Sequence, residues 1–325
     1  MKLLTVSVAA YNVEKYLENT LNSLMVDNIL AKSLEVIIVD DGSKDRTREI
    51  ALRYCSLFPD TFKLISKNNG GYGSTINASL LVATGKYYKQ LDGDDWFNNN
   101  NLKNFLVFLE NTSADLIISP YTKCFESGEK ETIDDCIYIN DSSIHPISVL
   151  NQGNCIAMHE LTIKTELLKK SGFHMTENCF YTDNEYTFFS LLEAKKFAKF
   201  GQEIYCYRLG LEGQSVSIGG ANKHYKDTIR VAFSLYKKYT YCHNNEIEAL
   251  LRKYLLAITN SVYTYHLVCN SDGAKNELAC FDKALRHNYH EIYKLSNKIK
   301  KIRILRLSKF CLFSLIKKKV SSEWI

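Results

Sequence analysis

The stretch Leu34-Glu-Val-Ile-Ile-Val-Asp-Asp-Gly-Ser43 decides the fold class, because a run of apolar and β-branched residues ends abruptly in an acidic turn. A run of this kind predicts a buried strand. Further apolar runs lie on either side of it, beginning with residues 3–10, and helical patterns separate them. Strands that alternate with helices in units of about 30 residues predict an α/β fold with a mostly parallel sheet and helices on both faces.

The periodicity of the apolar residues predicts the individual elements. Ser43 is expected to cap a helix that runs to Cys55, because serine is a favoured residue at a helix N-terminus. The charged, turn-rich stretch 126–135 indicates a hairpin or loop at the surface. The other strands are predicted at residues 62–65, 86–91 and 114–119, and the other helices at 13–25, 74–83 and 102–110.

The composition is that of an ordinary folded chain, with 325 residues of which 46% are hydrophobic and 24% charged. This length predicts about two domains. We place their boundary near 218–222, so that residues 1–218 form the α/β domain and 219–325 a helical region. No apolar run approaches the ~20 residues that span a bilayer, and the N-terminal residues are interpreted as a strand and not as a signal peptide.

Cysteine and charge usage indicate a compartment and a possible partner. The ten cysteines form no C-x-x-C pair, which disfavours a zinc site or a disulfide framework. Free cysteines are typical of a reducing compartment, so we expect a cytoplasmic location. Residues 292–322 contain ten of the lysines and arginines and no carboxylate, so the remainder of this +5 chain carries a net charge of −5. We interpret residues 292–320 as a basic amphipathic helix that attaches the protein to an anionic membrane surface. The alternative for this tail is a solvent-exposed basic face on a helix that packs against the protein's own core. The tyrosine-rich helical stretch before the tail could bury a partner, which leaves a homo-oligomer as an open alternative.

Parallel sheets bind ligands beyond the carboxyl ends of their strands. Four loops are therefore expected to meet at one edge, namely residues 10–12, 40–43, 66–73 and 92–95. The last of them, Asp92-Gly-Asp-Asp95, offers two carboxylates one residue apart, which suits a hard divalent cation such as Mg²⁺ or Mn²⁺. An acidic turn exposed to solvent is the alternative. Nucleic acid is disfavoured as a partner, because an acidic cleft repels a phosphate backbone.

The glycine-rich stretch 67–77 leads into a predicted helix N-terminus, where backbone N–H groups meet anions such as a diphosphate. Two other nucleotide-binding patterns are missing from the sequence. No glycine follows the first strand in residues 9–12, which disfavours a dinucleotide fold, and the chain has no P-loop.

Five motifs occur in the order and spacing of family 2 glycosyltransferases, which the chain resembles. They are Val6-Ser-Val-Ala-Ala-Tyr-Asn12, Val39-Asp-Asp-Gly-Ser43, Asn69-Gly with Asn77, Ala83-Thr-Gly-Lys-Tyr87 and Leu91-Asp-Gly-Asp-Asp-Trp96. The resemblance implies a GT-A fold, a nucleotide-sugar donor that is expected to be a UDP-sugar, a divalent metal and inversion at the anomeric carbon. It also implies a hexosyltransferase of bacterial surface-polysaccharide synthesis, with a saccharide or a lipid-linked saccharide as acceptor.

The same resemblance implies roles for individual residues. Tyr11 and Asp40 match the pair that holds the nucleobase, Asp92 contacts the ribose or the metal, and Asp94 matches the metal ligand. Further donor contacts are implied for Ala10, Asn12, Asn69, Gly70, Gly93, Arg208 and Gln214.

The catalytic base of the family lies in an acidic pair at the start of a later helix, and residues 180–188 match that stretch with Thr182 in place of the first acid. Asp183 is the implied base and Glu185 its rival. His159, expected on a strand, and Trp96 are candidates for contact with the acceptor, although a lone histidine also fits a structural role. Two other functions stay open: a nucleotidyltransferase acting on sugar phosphates, and a sugar-nucleotide-binding subunit without catalytic activity.

Overall fold

A computed structural model describes residues 2–210, 218–241 and 245–323 of the chain. The chain divides into two compact units, the first formed by residues 1–178 and 186–211 and the second by residues 179–185 and 212–325. The strands are β1 Leu4–Ala10, β2 Leu34–Asp40, β3 Phe62–Ser66, β4 Tyr87–Asp92, β5 Trp96–Phe97, β6 Leu116–Ile118, β7 Tyr121–Phe125, β8 Lys130–Ile133, β9 Ile144–Pro146, β10 Leu161–Lys164, β11 Lys196–Lys199 and β12 Tyr205–Leu209. The α-helices are α1 Leu17–Ser23, α2 Asn28–Ala31, α3 Thr47–Leu57, α4 Tyr72–Val82, α5 Asn99–Asn111, α6 Thr165–Lys170, α7 Asp183–Glu193, α8 Ile218–His224, α9 Asp227–Tyr241, α10 Glu248–Val268, α11 Ala274–Asn288, α12 His290–Ser296, α13 Lys300–Leu307 and α14 Phe313–Glu323.

The first unit is built on an eight-stranded sheet with the order β3-β2-β1-β4-β10-β6-β11-β9. Strands β3, β2, β1 and β4 run parallel, which confirms the predicted α/β sheet. The prediction that β6 continues the parallel series next to β4 is wrong. Strand β10 lies between β4 and β6 and is antiparallel to both. The chain between β6 and β10 forms a hairpin and turns instead of a crossover helix, and it therefore re-enters the sheet in the opposite direction.

Every residue of β2 is buried, as expected for a strand covered on both faces. The strand contains two carboxylates, Asp40 at its carboxyl end and Glu35 at its amino end. The carboxylate of Glu35 is satisfied within the fold. Its oxygens accept hydrogen bonds from Thr5 Oγ1 (2.6 Å), the Thr84 N–H (2.8 Å) and Lys63 Nζ (2.7 Å). Burial alone would raise the pKa of Glu35, but these hydrogen bonds lower it to about 2.

A smaller sheet with the order β5-β12-β7-β8 carries the hairpin of β7 and β8, which confirms the hairpin expected around residues 126–135. Strand β5 begins directly after the acidic turn at residues 92–95 and pairs antiparallel with β12, so that Trp96 lies opposite Cys206. The acidic turn is thus held between the large sheet and the small one.

The predicted start of α3 is wrong. The helix begins at Thr47, whose N–H donates to Asp45 Oδ1 (3.0 Å), and Ser43 lies in the preceding loop. The Ser43 hydroxyl instead accepts the backbone N–H of Asn12 (3.0 Å). A side chain that serves a tertiary contact between two loops is therefore not available as a helix cap.

The second unit is helical, and α10 is its longest helix, with 21 residues that pack against α9, α11, α12 and α14. The prediction of one long amphipathic helix over residues 292–320 is wrong, because α12, α13 and α14 are separate helices. The break between α13 and α14 contains Lys309 and Phe310, both with positive φ. Within the part of the chain that the structure describes, no helix is long and apolar enough to cross a membrane.

Candidate active site

The carboxyl ends of three neighbouring strands, β2, β1 and β4, place Ala10, Asp40 and Asp92 at one edge of the large sheet. In the parallel register, Ala10 of β1 lies opposite Asp40 of β2, and Ala9 lies opposite Asp92 of β4. Asp40 and Asp92 are therefore two strands apart at one edge of the sheet, a separation of about 10 Å at the usual strand spacing. The end of β1, with Ala10 and the half-exposed Tyr11, lies between them.

Gly93 allows the acidic turn to approach β1 closely. Its N–H donates to the carbonyl of Ala9 (2.9 Å), and a Cβ at this position would lie only 2.8 Å from the same oxygen. Thr20 Oγ1 of α1 donates to the carbonyl of Asp95 (2.6 Å) and holds the turn from its other side. The backbone of the turn is thus fixed by β1 and α1.

Asp92, Asp94 and Asp95 form an acidic cluster in which one oxygen of each carboxylate lies within 4.8 Å of the others. Burial raises the pKa of Asp94. Burial, followed by the charges of Asp92 and Asp94, raises the pKa of Asp95 well above its usual range. A hard divalent cation, which prefers carboxylate oxygens, would offset this repulsion.

Asp95 is held by the protein itself. Its Oδ2 accepts a hydrogen bond from the Tyr205 hydroxyl (2.6 Å), and its Oδ1 accepts the backbone N–H of Arg208 (2.7 Å). The Tyr205 hydroxyl also accepts the backbone N–H of Asp92 (3.2 Å). Because both oxygens of Asp95 are used in this way, Asp95 positions the turn, and Asp92 and Asp94 fit a cation better.

The Arg208 side chain lies against the same turn. Its Nε donates to the carbonyl of Asp94 (2.8 Å), and its guanidinium carbon lies 4.6 Å from the ring centre of Trp96 and 5.1 Å from that of Tyr16. These distances are typical of cation–π contacts. The contacts of Arg208 with donor and of Trp96 with acceptor stay predictions, and Gln214 lies outside the described residues.

The loops after β1 and β2 are tied to each other. The Asp40 Oδ1 accepts the N–H of Ser43 (3.0 Å), and the Asn12 Oδ1 accepts the N–H of Lys44 (2.8 Å). Asn12 has a positive φ of 53°, so its backbone turns sharply at the end of β1. A rigid frame of this kind is suited to hold a planar group against Tyr11.

Asp41 is an important residue that the sequence analysis missed. Its carboxylate accepts the N–H groups of Gly70 (3.0 Å) and Gly71 (2.8 Å) and the Nζ of Lys67 (2.7 Å). The prediction that these glycine N–H groups meet a diphosphate is wrong, because both donate to the protein's own anion, Asp41. The pair Asp40-Asp41 is visible in the sequence, but nothing there indicates which carboxylate reaches the glycine-rich loop. Asn69, beside Gly70, is exposed.

The two candidate bases lie at the start of α7, within the second unit. Asp183 is partly exposed, and its Oδ1 accepts a hydrogen bond from Asn184 Nδ2 (3.3 Å). The surrounding protein removes part of the solvent from its carboxylate, and this partial burial raises the pKa of Asp183. Glu185 is 0% exposed. A base must reach the hydroxyl that it deprotonates, so this difference in exposure favours Asp183.

His159 lies in a short 3₁₀ turn at Met158–Glu160 and not on a strand as predicted, because β10 begins only after this turn. Its ring stacks on Tyr121 (4.8 Å) and Tyr207 (4.4 Å) and packs edge-on against Tyr205 (4.7 Å). Burial lowers the pKa of His159 to about 3, so the ring is neutral near pH 7. The His159 ring therefore packs among three tyrosine rings, including that of Tyr205. Contact of His159 with an acceptor stays a prediction.

Sequence comparisons relate the chain to known proteins. Residues 5–170 match the profile of the family described as "Glycosyl transferase family 2". The chain is 26% identical over 223 residues to "Poly(ribitol-phosphate) beta-N-acetylglucosaminyltransferase TarS" of Staphylococcus aureus (strain Mu50), which covers 67% of this chain and 37% of TarS. It is 27% identical over 234 residues to "Minor teichoic acid biosynthesis protein GgaB" of Bacillus subtilis (strain 168), which covers 71% of this chain and 26% of GgaB. The chain thus spans about a third of the length of these relatives.

Solved structures show the same fold. Residues 1–349 of S. aureus TarS in complex with UDP-GlcNAc match with a TM-score of 0.69 and 20% identity, covering 98% of this chain and 92% of that chain. The mannosyltransferase PcManGT from Pyrobaculum calidifontis, in complex with GDP-Man and Mn²⁺, matches with a TM-score of 0.55 and 18% identity, covering 94% and 86% respectively. At these identities the similarity establishes the GT-A fold.

Proposed function

The chain belongs to glycosyl transferase family 2, and we propose that it is an inverting hexosyltransferase. It moves a sugar from a nucleotide-diphosphate sugar to a hydroxyl group of an acceptor saccharide. The observation that carries this proposal is the meeting of Asp40, Asp92 and Asp94 at one edge of the parallel sheet. We assign the donor site to the α/β domain, residues 1–218, and contact with the membrane surface to the helical region, residues 219–325.

The donor is a UDP-sugar, with UDP-GlcNAc as the first candidate, because the TarS structure with the same fold contains UDP-GlcNAc. Tyr11 packs on the uracil ring and Asp40 accepts a hydrogen bond from it, with Asn12 and Asn69 at the rim. The frame of hydrogen bonds between Asn12, Ser43 and Lys44 supports this role, since it fixes the loop before a ligand arrives.

Asp94 and Asp92 hold a divalent cation, Mn²⁺ or Mg²⁺, and Asp95 positions the turn that carries them. The cluster of carboxylate oxygens within 4.8 Å supports this assignment, as does the Mn²⁺ in the PcManGT structure. The cation supplies positive charge for the diphosphate that departs with the nucleotide. Arg208, fixed beside Asp94, adds a cationic side chain to the same place.

Asp183 takes the proton from the acceptor hydroxyl as that oxygen attacks the anomeric carbon. A raised pKa suits this task, because a base works best when its pKa approaches the working pH. Attack from the face opposite the leaving diphosphate inverts the anomeric configuration. Glu185 is the rival base, and its complete burial makes it the weaker candidate.

The acceptor is a polyol-phosphate or related surface glycopolymer, in accordance with the names of TarS and GgaB. The family resemblance implies a lipid-linked acceptor, so we place the protein in the cytoplasm, at the inner face of the membrane. Ten cations and no carboxylate in residues 292–322 support contact with anionic headgroups there.

A transfer assay tests the proposed function. The purified chain is incubated with UDP-GlcNAc, poly(ribitol phosphate) and Mn²⁺ or Mg²⁺, and release of UDP and labelling of the polymer are measured. We expect metal-dependent transfer in which each UDP released corresponds to one sugar added. Absence of donor binding and turnover with UDP-, GDP- and TDP-sugars alike would overturn the proposal.

A further inference from the structure

The outer surface of α13, α14 and the turn between them combines exposed leucines with exposed cations. Of the ten cations in residues 292–322, three point inward: Lys301 donates to Thr264 Oγ1, Lys317 donates to the carbonyl of Cys269, and Arg306 Nε donates to Asp282 Oδ1 (2.7 Å). The other seven are exposed. Most of the positive charge of this segment therefore lies at the surface of the described helices.

The apolar side chains in and beside the turn at residues 308–312 form two groups, one buried and one exposed. Phe310 and Phe313 are only 8% and 6% exposed, so they anchor the turn to the helices beneath it. Leu307, Leu312 and Leu315 are 80%, 41% and 65% exposed, and we call these three residues the leucine surface. The turn is well formed, because the Phe310 N–H donates to the carbonyl of Leu305 (2.8 Å) and the Cys311 N–H to that of Ser308 (2.9 Å).

Exposed cations occur along the chain before, within and after the leucine surface. Arg303 lies on α13, Lys309 in the turn, and Lys318 and Lys319 on α14. Apolar side chains that project outward among cations match the two layers of an anionic membrane interface, with acyl chains below and charged headgroups above.

We propose that the leucine surface inserts into the headgroup region of an anionic membrane and orients the second unit on it through this turn. The inference deepens the proposed membrane location, on which it rests, by naming the element that docks. A second copy of the chain is a poorer occupant, because a two-fold contact would bring like charges together with no carboxylate of residues 292–322 to balance them. Nucleic acid would use the cations but leave the leucines without a role.

Vesicle flotation with the full chain tests the inference. Wild type is compared with the variant Leu307→Ser/Leu312→Ser/Leu315→Ser on phosphatidylglycerol-rich and pure phosphatidylcholine vesicles. The matched control, Leu52→Ser/Leu57→Ser, changes leucines that are 46% and 64% exposed on α3. We expect wild type and control to float with anionic vesicles only, and the triple variant to bind at least about tenfold more weakly, which corresponds to about 1.4 kcal/mol.

A fluorescence measurement locates the contact without a change to the leucines. An environment-sensitive label on exposed Cys311, in the Cys242→Ser/Cys280→Ser variant, is expected to shift to the blue on anionic vesicles. The same label on exposed Cys280 of α11, in the Cys242→Ser/Cys311→Ser variant, is expected to stay unchanged.

Several results would overturn the inference: equal flotation of wild type and triple variant, equal spectral shifts at both cysteines, or a dimer that the triple variant converts to monomer without any lipid binding. Retention of wild type on RNA or DNA without flotation would also overturn it. Stabilisation of the chain by UDP-GlcNAc, measured on the same samples, reports separately on the proposed function. A protein that binds donor but no vesicle refutes only the docking surface.

Discussion

The substitution Tyr205→Phe tests whether β12 holds the acidic turn in its working geometry. The hydroxyl donates to Asp95 Oδ2 (2.6 Å) and accepts the N–H of Asp92 (3.2 Å). Its removal takes a hydrogen bond away from a buried carboxylate, and a hydrogen bond to a charged group contributes about 1.5–3 kcal/mol. We therefore expect the free energy of unfolding, measured with urea, to fall by about 2 kcal/mol.

The same substitution is expected to weaken metal-dependent activity. Asp92 and Asp94 lie on the turn that Tyr205 fixes, and loss of a group that orients metal ligands commonly costs about 10–100-fold in metal affinity or activity. The assay is release of UDP from UDP-GlcNAc as a function of Mn²⁺ concentration. The Mn²⁺ concentration at half-maximal rate should rise within that range.

A matched control separates this effect from a general loss of stability. The Tyr236 hydroxyl lies 2.6 Å from Thr259 Oγ1 in the second unit, and Tyr236→Phe removes a buried hydrogen bond with a neutral partner. It should cost about 1 kcal/mol of stability and leave the Mn²⁺ midpoint unchanged. If Tyr205→Phe also leaves the midpoint unchanged, Tyr205 is a packing residue only and our account of the turn is wrong.

Four further substitutions address the base, the metal ligand and the sheet. Asp183→Asn should bind donor normally but transfer sugar about 10²–10⁴-fold more slowly, and a larger rate loss in Glu185→Gln than in Asp183→Asn would move the base to Glu185. Asp94→Asn should lose Mn²⁺-dependent binding of UDP-GlcNAc in calorimetry, and unchanged binding would exclude it as a ligand. The pKa of Glu35 is lowered from 4.5 to about 2, so its carboxylate contributes about 3 kcal/mol above pH 4.5, and this contribution disappears as the pH falls towards 2. Urea unfolding should show Glu35→Gln less stable than wild type at pH 7 and the difference shrinking below pH 4.5, whereas a constant difference would contradict the role of this charge.

The part of the site that depends on topology could be predicted from the sequence. The apolar runs that become β1, β2 and β4 are long and each ends in a polar loop. Parallel strands place their carboxyl ends at the same edge, so the convergence of Asp40 and Asp92 follows from the strand pattern alone. No knowledge of side-chain packing is needed for this step.

The support of the site could not be predicted, because it depends on contacts between distant residues. Tyr205 lies 110 residues after Asp95, and nothing in its neighbourhood distinguishes it from other tyrosines in the chain. The anion that Gly70 and Gly71 meet is Asp41, which is supplied by another loop and not by a ligand. Such assignments require the relative placement of loops.

The C-terminal helices show a second limit of pattern analysis. The spacing of apolar and basic residues continues through residues 292–320, and it predicts one helix. The break occurs where Lys309 and Phe310 adopt positive φ, a conformation that is rare outside glycine and that neither residue signals. Burial of Phe310 and Phe313 gives a reason for the turn that only the packed structure reveals.

We propose that Asp92 and Asp94 bind a nucleotide diphosphate through a divalent cation, at the edge where Asp40 holds the base. Calorimetric titration of the wild-type chain with UDP, with and without Mn²⁺, tests this role of the two carboxylates, and uridine serves as the control ligand. We predict saturable heat for UDP that depends on Mn²⁺ and is abolished by EDTA, and much weaker binding of uridine. Equal binding of UDP with Mn²⁺ and with EDTA, or no heat under any of these conditions, would contradict the claim.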